Sequence, residues 1–123
     1  MNSSGTFFQL NGVTDSDSRN LIITPNGKYL FSANGDTSVG AYSIGSNGAL
    51  THISDVNIAA CASGDPDGAG AITATDNFVW VTDTCANEDA RFVFTLKIGS
   101  NGALTNSSHV TLTGCTVGFG PLK

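Results

Sequence analysis

A chain of 123 residues, 40% hydrophobic and 12% charged, is long enough for one domain and leaves little room for a second. That balance excludes a disordered tail, and no apolar run approaches the roughly 20 residues of a membrane-crossing helix. Ten acidic residues against five basic ones, a net charge of −5, argue against nucleic acid and against an anionic membrane as partners.

The opening Met1-Asn2-Ser3-Ser4 has neither the basic start nor the apolar stretch of a signal peptide. A leading strand is expected near Thr6–Leu10. Asn-Gly pairs then punctuate the chain at Asn11-Gly12, Asn26-Gly27, Asn34-Gly35, Asn47-Gly48 and Asn101-Gly102. Asn-Gly is the strongest short hairpin signal, because both residues tolerate the positive φ of a type I′ turn. β-Branched and aromatic runs lie between these turns. They predict strands at about 19–24, 28–33, 37–44 and 49–59, then at 70–75, 77–82, 90–98 and 103–113. Phe92, Phe94, Leu96 and Ile98 alternate with Val93, Thr95 and Lys97, the period of a half-buried strand. No window combines apolar residues at helical spacing with caps at both ends, so the chain reads as all-β.

The chain also repeats itself. Residues Ile44 to Thr51 (IGSNGALT) recur letter for letter as Ile98 to Thr105. Thr24–Asn34 aligns with Thr73–Asp83, matching Tyr29 with Phe78, Leu30 with Val79 and Phe31 with Trp80. The offset is 49 residues there and 54 later, which puts an insertion around Cys85–Ala90 in the second copy. Four antiparallel strands per period of about 50 residues is the signature of a β-propeller blade. The expected organisation is a leading strand and loop of a preceding blade over 1–18, one four-stranded blade over 19–60, a second over 61–114, and the entry to a further blade over 115–123. A plain β-sandwich is the alternative architecture.

Leu30-Phe31-Ser32-Ala33-Asn34 and Val79-Trp80-Val81-Thr82-Asp83 resemble the "LYVTN" strand of the lactonase-type propeller repeats. Thr24-Pro25-Asn26-Gly27-Lys28 resembles the turn before that strand, and Ile44 to Thr51 the turn after the next one. The resemblance covers about residues 19–120. It implies a 6-phosphogluconolactonase-like family of seven-bladed propellers, of which two blades stand here. Asp83 replaces the usual Asn and Ala74 the usual Pro.

Two blades alone leave two apolar end faces, which repeats of this kind cover with neighbours. The partners expected are therefore further copies of the chain or the remaining blades of a larger propeller. In a propeller the D–A and B–C connections lie at one end of each blade. Cys61 and Cys85 are then a disulfide candidate across adjacent blades, with Cys115 left over; three unrelated thiols are the alternative. A disulfide, with the sequons at Asn2 and Asn106, points to a secreted or extracytoplasmic protein.

The same end gathers Asp15, Asp17, Asp36, Asp65, Asp67, Asp83, Glu88 and Asp89, with Arg19 and Arg91 at strand starts. This acidic face is the expected ligand-binding face, for a small molecule, a carbohydrate or a cationic partner; acidic loops that only keep the chain soluble are the alternative. Asp65 and Asp67 offer a loose Ca²⁺ site. They lack an EF-hand's ligand at the fifth position, where Ala69 stands, and its flanking helices. No other cofactor is expected. No Gly-x-Ser-x-Gly elbow, His-x-x-x-His spacing or phosphate loop is present, so the catalytic residues of any hydrolase activity stay unknown. His52 and His109 read as surface residues of outer strands, and Tyr29, Phe31, Phe78 and Trp80 as packing between blades. The functions compatible with this reading are a binding or scaffolding propeller unit, a lactone hydrolase whose site other blades complete, and a self-assembling filament subunit.

Overall fold

The computed structural model describes residues 9–13, 18–35, 37–58, 66–85 and 90–113. Among them are eight strands and no helix: β1 (Ser18–Ile23), β2 (Tyr29–Asn34), β3 (Ser38–Ile44), β4 (Leu50–Asn57), β5 (Pro66–Ala74), β6 (Phe78–Cys85), β7 (Ala90–Ile98) and β8 (Leu104–Thr113). They form two separate four-stranded antiparallel sheets, β1-β2-β3-β4 (sheet A) and β5-β6-β7-β8 (sheet B), and neither closes on itself. β5 begins before the expected 70 and β6 runs past 82, because irregular pairing at Pro66/Gly68 and Ala69/Ile72 lets that hairpin continue. Of the expected leading strand, only Gln9 and Leu10 are described, and neither lies in a strand.

The Asn-Gly turns differ from the type I′ expectation. Positive φ is confined to Gly27, Gly48, Gly102 and Thr37 among the described residues, so no Asn adopts it. Gly48 N–H donates to Gly45 O and Gly45 N–H to Ala49 O, each at 2.8 Å, closing a three-residue loop. That is the pattern of a type I turn followed by a left-handed glycine. Asn47 contributes its side chain instead, its Oδ1 accepting from Ala49 N–H at 3.0 Å. The second copy repeats this with Gly99, Gly102, Ala103 and Asn101. The pair Asn11-Gly12 turns no hairpin among the described residues. Asn11 uses its amide to bond both backbone groups of Leu50, at 2.7 and 3.2 Å.

The sequence repeat is therefore a structural repeat. The β3–β4 bulge at Ala41/Tyr42 recurs at Thr95/Leu96, the matching positions 54 residues on. Cross-strand register then sorts the faces. In sheet A, Phe31 pairs with Ala41 and Ala33 with Val39, so these four share a face, and all are fully buried. In sheet B, Val79 pairs with Leu96 and Val81 with Phe94, and they too share a face and are buried. The two faces form one hydrophobic cluster. They are not equivalent faces, however. Phe31 corresponds to Trp80 and Ala33 to Thr82, which lie on the opposite face of sheet B. Leu30, Ser32 and Tyr42, the counterparts of Val79, Val81 and Leu96, lie on the opposite face of sheet A. The sheets thus stack head to tail, the second advanced on the first, rather than as the mirrored halves of a sandwich.

Their turn ends meet in the same sense. Asn26 N–H donates to Asp76 Oδ1 at 2.8 Å, and Tyr29 O–H to Ser100 O at 3.3 Å. Gly102, at φ 86°, is buried under the Tyr29 ring, and a Cβ there would stand 2.7 Å from Ile53 Cδ1 and collide with the ring as well. Gly48 has the same φ sign, but its one near neighbour among the described residues is Leu10 Cδ1 at 3.7 Å. Gly48→Ala is expected to cost about 1 kcal/mol of left-handed strain. Gly102→Ala adds overpacking of about 1–3 kcal/mol. Urea unfolding midpoints of the two variants check the difference, and equal midpoints would contradict this stacking.

Candidate functional site

The strand ends Ser18, Asn34, Ser38 and Asn57 of sheet A gather at one end, opposite the Asn-Gly turns, as do Pro66, Cys85, Ala90 and Thr113 of sheet B. The segments carrying most of the acidic residues leave from this end. Asp15, Asp17, Asp36, Asp65, Glu88, Asp89 and Cys61 lie outside the described residues. Asp67 and Cys85 are described as backbone of β5 and β6. Described with their side chains are Arg19, Asp83 and Arg91.

These three do not converge on one opening. Asp83 is completely buried, on the face of β6 that carries Val79 and Val81. It pairs with Ala69 on β5 and with Phe92 on β7, so its carboxyl belongs to the layer between the sheets rather than to an exposed loop. Arg19 is exposed on β1. Arg91 is half-buried at the start of β7 and falls on the other face from Asp83, since Phe92, Phe94 and Leu96 alternate with it. Its Nε is enclosed and has no hydrogen-bond partner among the described residues.

Two polar features at this end had no clear signal in the sequence. The first is a side-chain relay on the outer face of sheet A. Asn34 Nδ2 donates to Ser38 Oγ at 3.0 Å, and Ser32 Oγ donates to Asn34 Oδ1 at 2.6 Å. The Ser32 proton is thereby used, so in its 2.7 Å contact with Ser18 the hydroxyl of Ser18 is the donor. These hydroxyls bond to one another and to an amide, and none of these bonds supplies the base that a serine nucleophile needs. The relay borders an apolar groove of about 320 Å³ lined by Val13, Leu21, Leu30, Tyr42 and Leu50. The second feature is Thr37, a β-branched residue at φ 68° that is almost fully buried. That conformation costs about 1–2 kcal/mol. It is held by hydrogen bonds from Thr37 N–H to Asn34 O and from Ile58 N–H to Thr37 O.

Both histidines are exposed, as expected for the outer strands. His52 Nε2 lies 3.1 Å from Asp55 Oδ1, with its ring edge-on to Tyr42, and His109 stands against Phe92 and Phe94. Among the described residues no three His, Cys, Asp or Glu side chains come close enough together to hold a metal. Asp65 lies outside those residues and only the backbone of Asp67 is described.

Compared with family models, with curated proteins and with solved structures, the chain finds no match in any of the three.

The burial of Asp83 sets a test of its role. Asp83→Ala removes a buried, engaged carboxylate and is expected to cost about 1–3 kcal/mol in urea unfolding, with Asp55→Ala, exposed beside His52, within about 0.5 kcal/mol of the unsubstituted chain. An Asp83→Ala chain of undiminished stability would instead mark a carboxylate held for a ligand.

Proposed function

We propose that the chain is a binding and scaffolding unit of the β-propeller type, two blades that stack on further blades and present an acidic loop end to a cationic partner. The observation that carries this reading is the head-to-tail packing of two homologous four-stranded meanders. Propeller blades follow one another in this way, whereas two repeats related by a two-fold axis in a sandwich would oppose equivalent faces. The sheets also touch most along β1 and β5 and less along β4 and β8, a wedge shape that suits blades arranged about an axis. The acidic part rests on topology and charge: the connections that carry most of the acidic residues leave from one end, and ligand-contacting residues favour loops on a rigid scaffold.

The side chains described favour binding over catalysis. Asp83 is part of the packing layer, the serine relay runs through the Asn34 amide to Ser38, and His52 and His109 lie exposed on outer strands. Lactone hydrolysis is the second reading. It is favoured by the lactonase-type repeat motifs and would require other blades to complete the site.

Binding of fluorescent poly-lysine, followed by anisotropy, tests the first reading. The unsubstituted chain is expected to bind and to release the probe as salt rises from about 0.05 to 0.5 M, over which the screening length falls several-fold. Neutralising Asp15, Asp17, Asp36, Asp65, Glu88 and Asp89 to amides is expected to weaken binding at least about tenfold. Equal affinity of the neutralised chain contradicts the acidic end as the site. Lactone turnover lost on single substitution of Asp65, Asp67 or Arg91 would support hydrolysis instead.

A further inference from the structure

Resting on the blade reading, we propose that the outer face of sheet B is a docking surface for the outer face of sheet A of a second copy of this chain. The contact would repeat, between chains, the one already made within the chain.

The internal interface supplies the template. It joins the face of repeat one that carries Phe31, Ala33, Val39 and Ala41 to the face of repeat two that carries Val79, Val81 and Leu96. The repeat register carries the first set onto Trp80, Thr82, Val93 and Thr95, and the second onto Leu30, Ser32 and Tyr42. Those positions form the two outer faces. Each outer face is hollowed: Trp80, Thr82, Val93, Ala71 and Thr73 line a groove on sheet B, and Leu21, Leu30, Ser32, Tyr42 and Leu50 line the one on sheet A together with Val13, with Ser32 and Tyr42 already almost fully buried there. An interface of unlike faces is heterologous, so making it once leaves both of its halves unused at the two ends of the molecule. The surface that fits the end of sheet B is of the kind that sheet A presents.

The turn end adds an independent detail. Inside the molecule Tyr29 covers Gly102. The counterpart of Gly102 is Gly48, and the counterpart of Tyr29 is Phe78, a ring that is 37% exposed. At Gly48 the place such a ring would take is filled by Leu10, whose segment is held by the amide of Asn11 on Leu50. The segment Gln9–Val13 therefore stands in for a neighbouring blade and must move aside when a second copy docks.

Two variants that each block one face test this with the full chain. Phe78→Lys spoils the sheet B face, and Leu21→Lys, at a side chain 55% exposed, spoils the sheet A face. Light scattering after size exclusion should give multiples of 12.6 kDa for the unsubstituted chain. Either variant alone should give 12.6 kDa, with self-association weakened at least about tenfold. An equimolar mixture retains one good copy of each face and should form a dimer that grows no further. Leu10→Ala should strengthen association. A far-UV spectrum unchanged from the unsubstituted chain confirms that each variant folds.

A 12.6 kDa unsubstituted chain at every concentration up to about 1 mM overturns the proposal. So does a mixture that stays monomeric, or a variant that still assembles alone. These failures differ from failure of the blade reading. If the internal stacking is absent, Gly102→Ala is no worse than Gly48→Ala. If it is present and only the docking fails, the Gly102 penalty remains while the mass stays that of one chain.

Discussion

Everything else in this molecule depends on one apolar layer in which the two repeats meet by unlike faces. Phe31, Ala33, Val39 and Ala41 on one side, and Val79, Val81, Phe94 and Leu96 on the other, are excluded from solvent. Each larger side chain in such a layer contributes about 1.5–3 kcal/mol relative to exposure. A two-stranded hairpin or a lone four-stranded sheet could not bury both sides of these strands. The second sheet serves as the missing solvent-excluding wall of the first. The constraint has a direction, because a head-to-tail stack satisfies its interior and never its ends.

The spacing of the stack is set at the turn end by a glycine and a ring. Gly102 needs its left-handed φ to close the loop after β7, and its missing side chain also lets Tyr29 lie over it and reach Ser100. One residue thus serves the local turn and the global packing together, which is the agreement between levels that lets a sequence specify one structure. Thr37 at the opposite end shows the converse. Its backbone is strained and its hydrogen bonds to Asn34 and Ile58 keep it there, so the end from which the acidic connections leave is stiffened by tertiary contacts rather than by local preference.

The sequence made the strands and the duplication legible because both write themselves in local pattern: period-2 alternation at 92–98, and an eight-residue segment repeated at 44 and 98. The aromatic residues of the second strand in each copy read as packing between blades. Phe31 is buried between the two sheets, and its counterpart Trp80 lies half-buried on the outer face of sheet B. Asn-Gly reads as a type I′ turn, yet it serves equally well as the third and fourth residues of a type I turn closed by a left-handed glycine, the form found here. A strand read as ending at 82 leaves Asp83 to the loop, but β6 continues to Cys85 and parity with Val81 carries the residue into the interior. The serine relay could not be anticipated, since Ser18, Ser32 and Ser38 are distant in sequence and meet only once β1, β2 and β3 are in register.

The two copies have diverged most where their surroundings differ. The face of sheet B that meets sheet A offers Val79, Val81 and Leu96, whereas the same positions in sheet A are Leu30, Ser32 and Tyr42. At the position filled by Asp83 in one copy and Asn34 in the other, both side chains are buried, and Asn34 is engaged by two serines. A face as apolar as the internal one would be a liability whenever it stood uncovered. On sheet A part of the outer face is hydroxyl and amide instead, and Ser32, Asn34 and Ser38 bond to one another within it. Ser32 and Asn34 of the relay are already shielded from water, and because these bonds lie within the face, a covering neighbour would take none of them away. That tolerance is what an end surface of a stack requires.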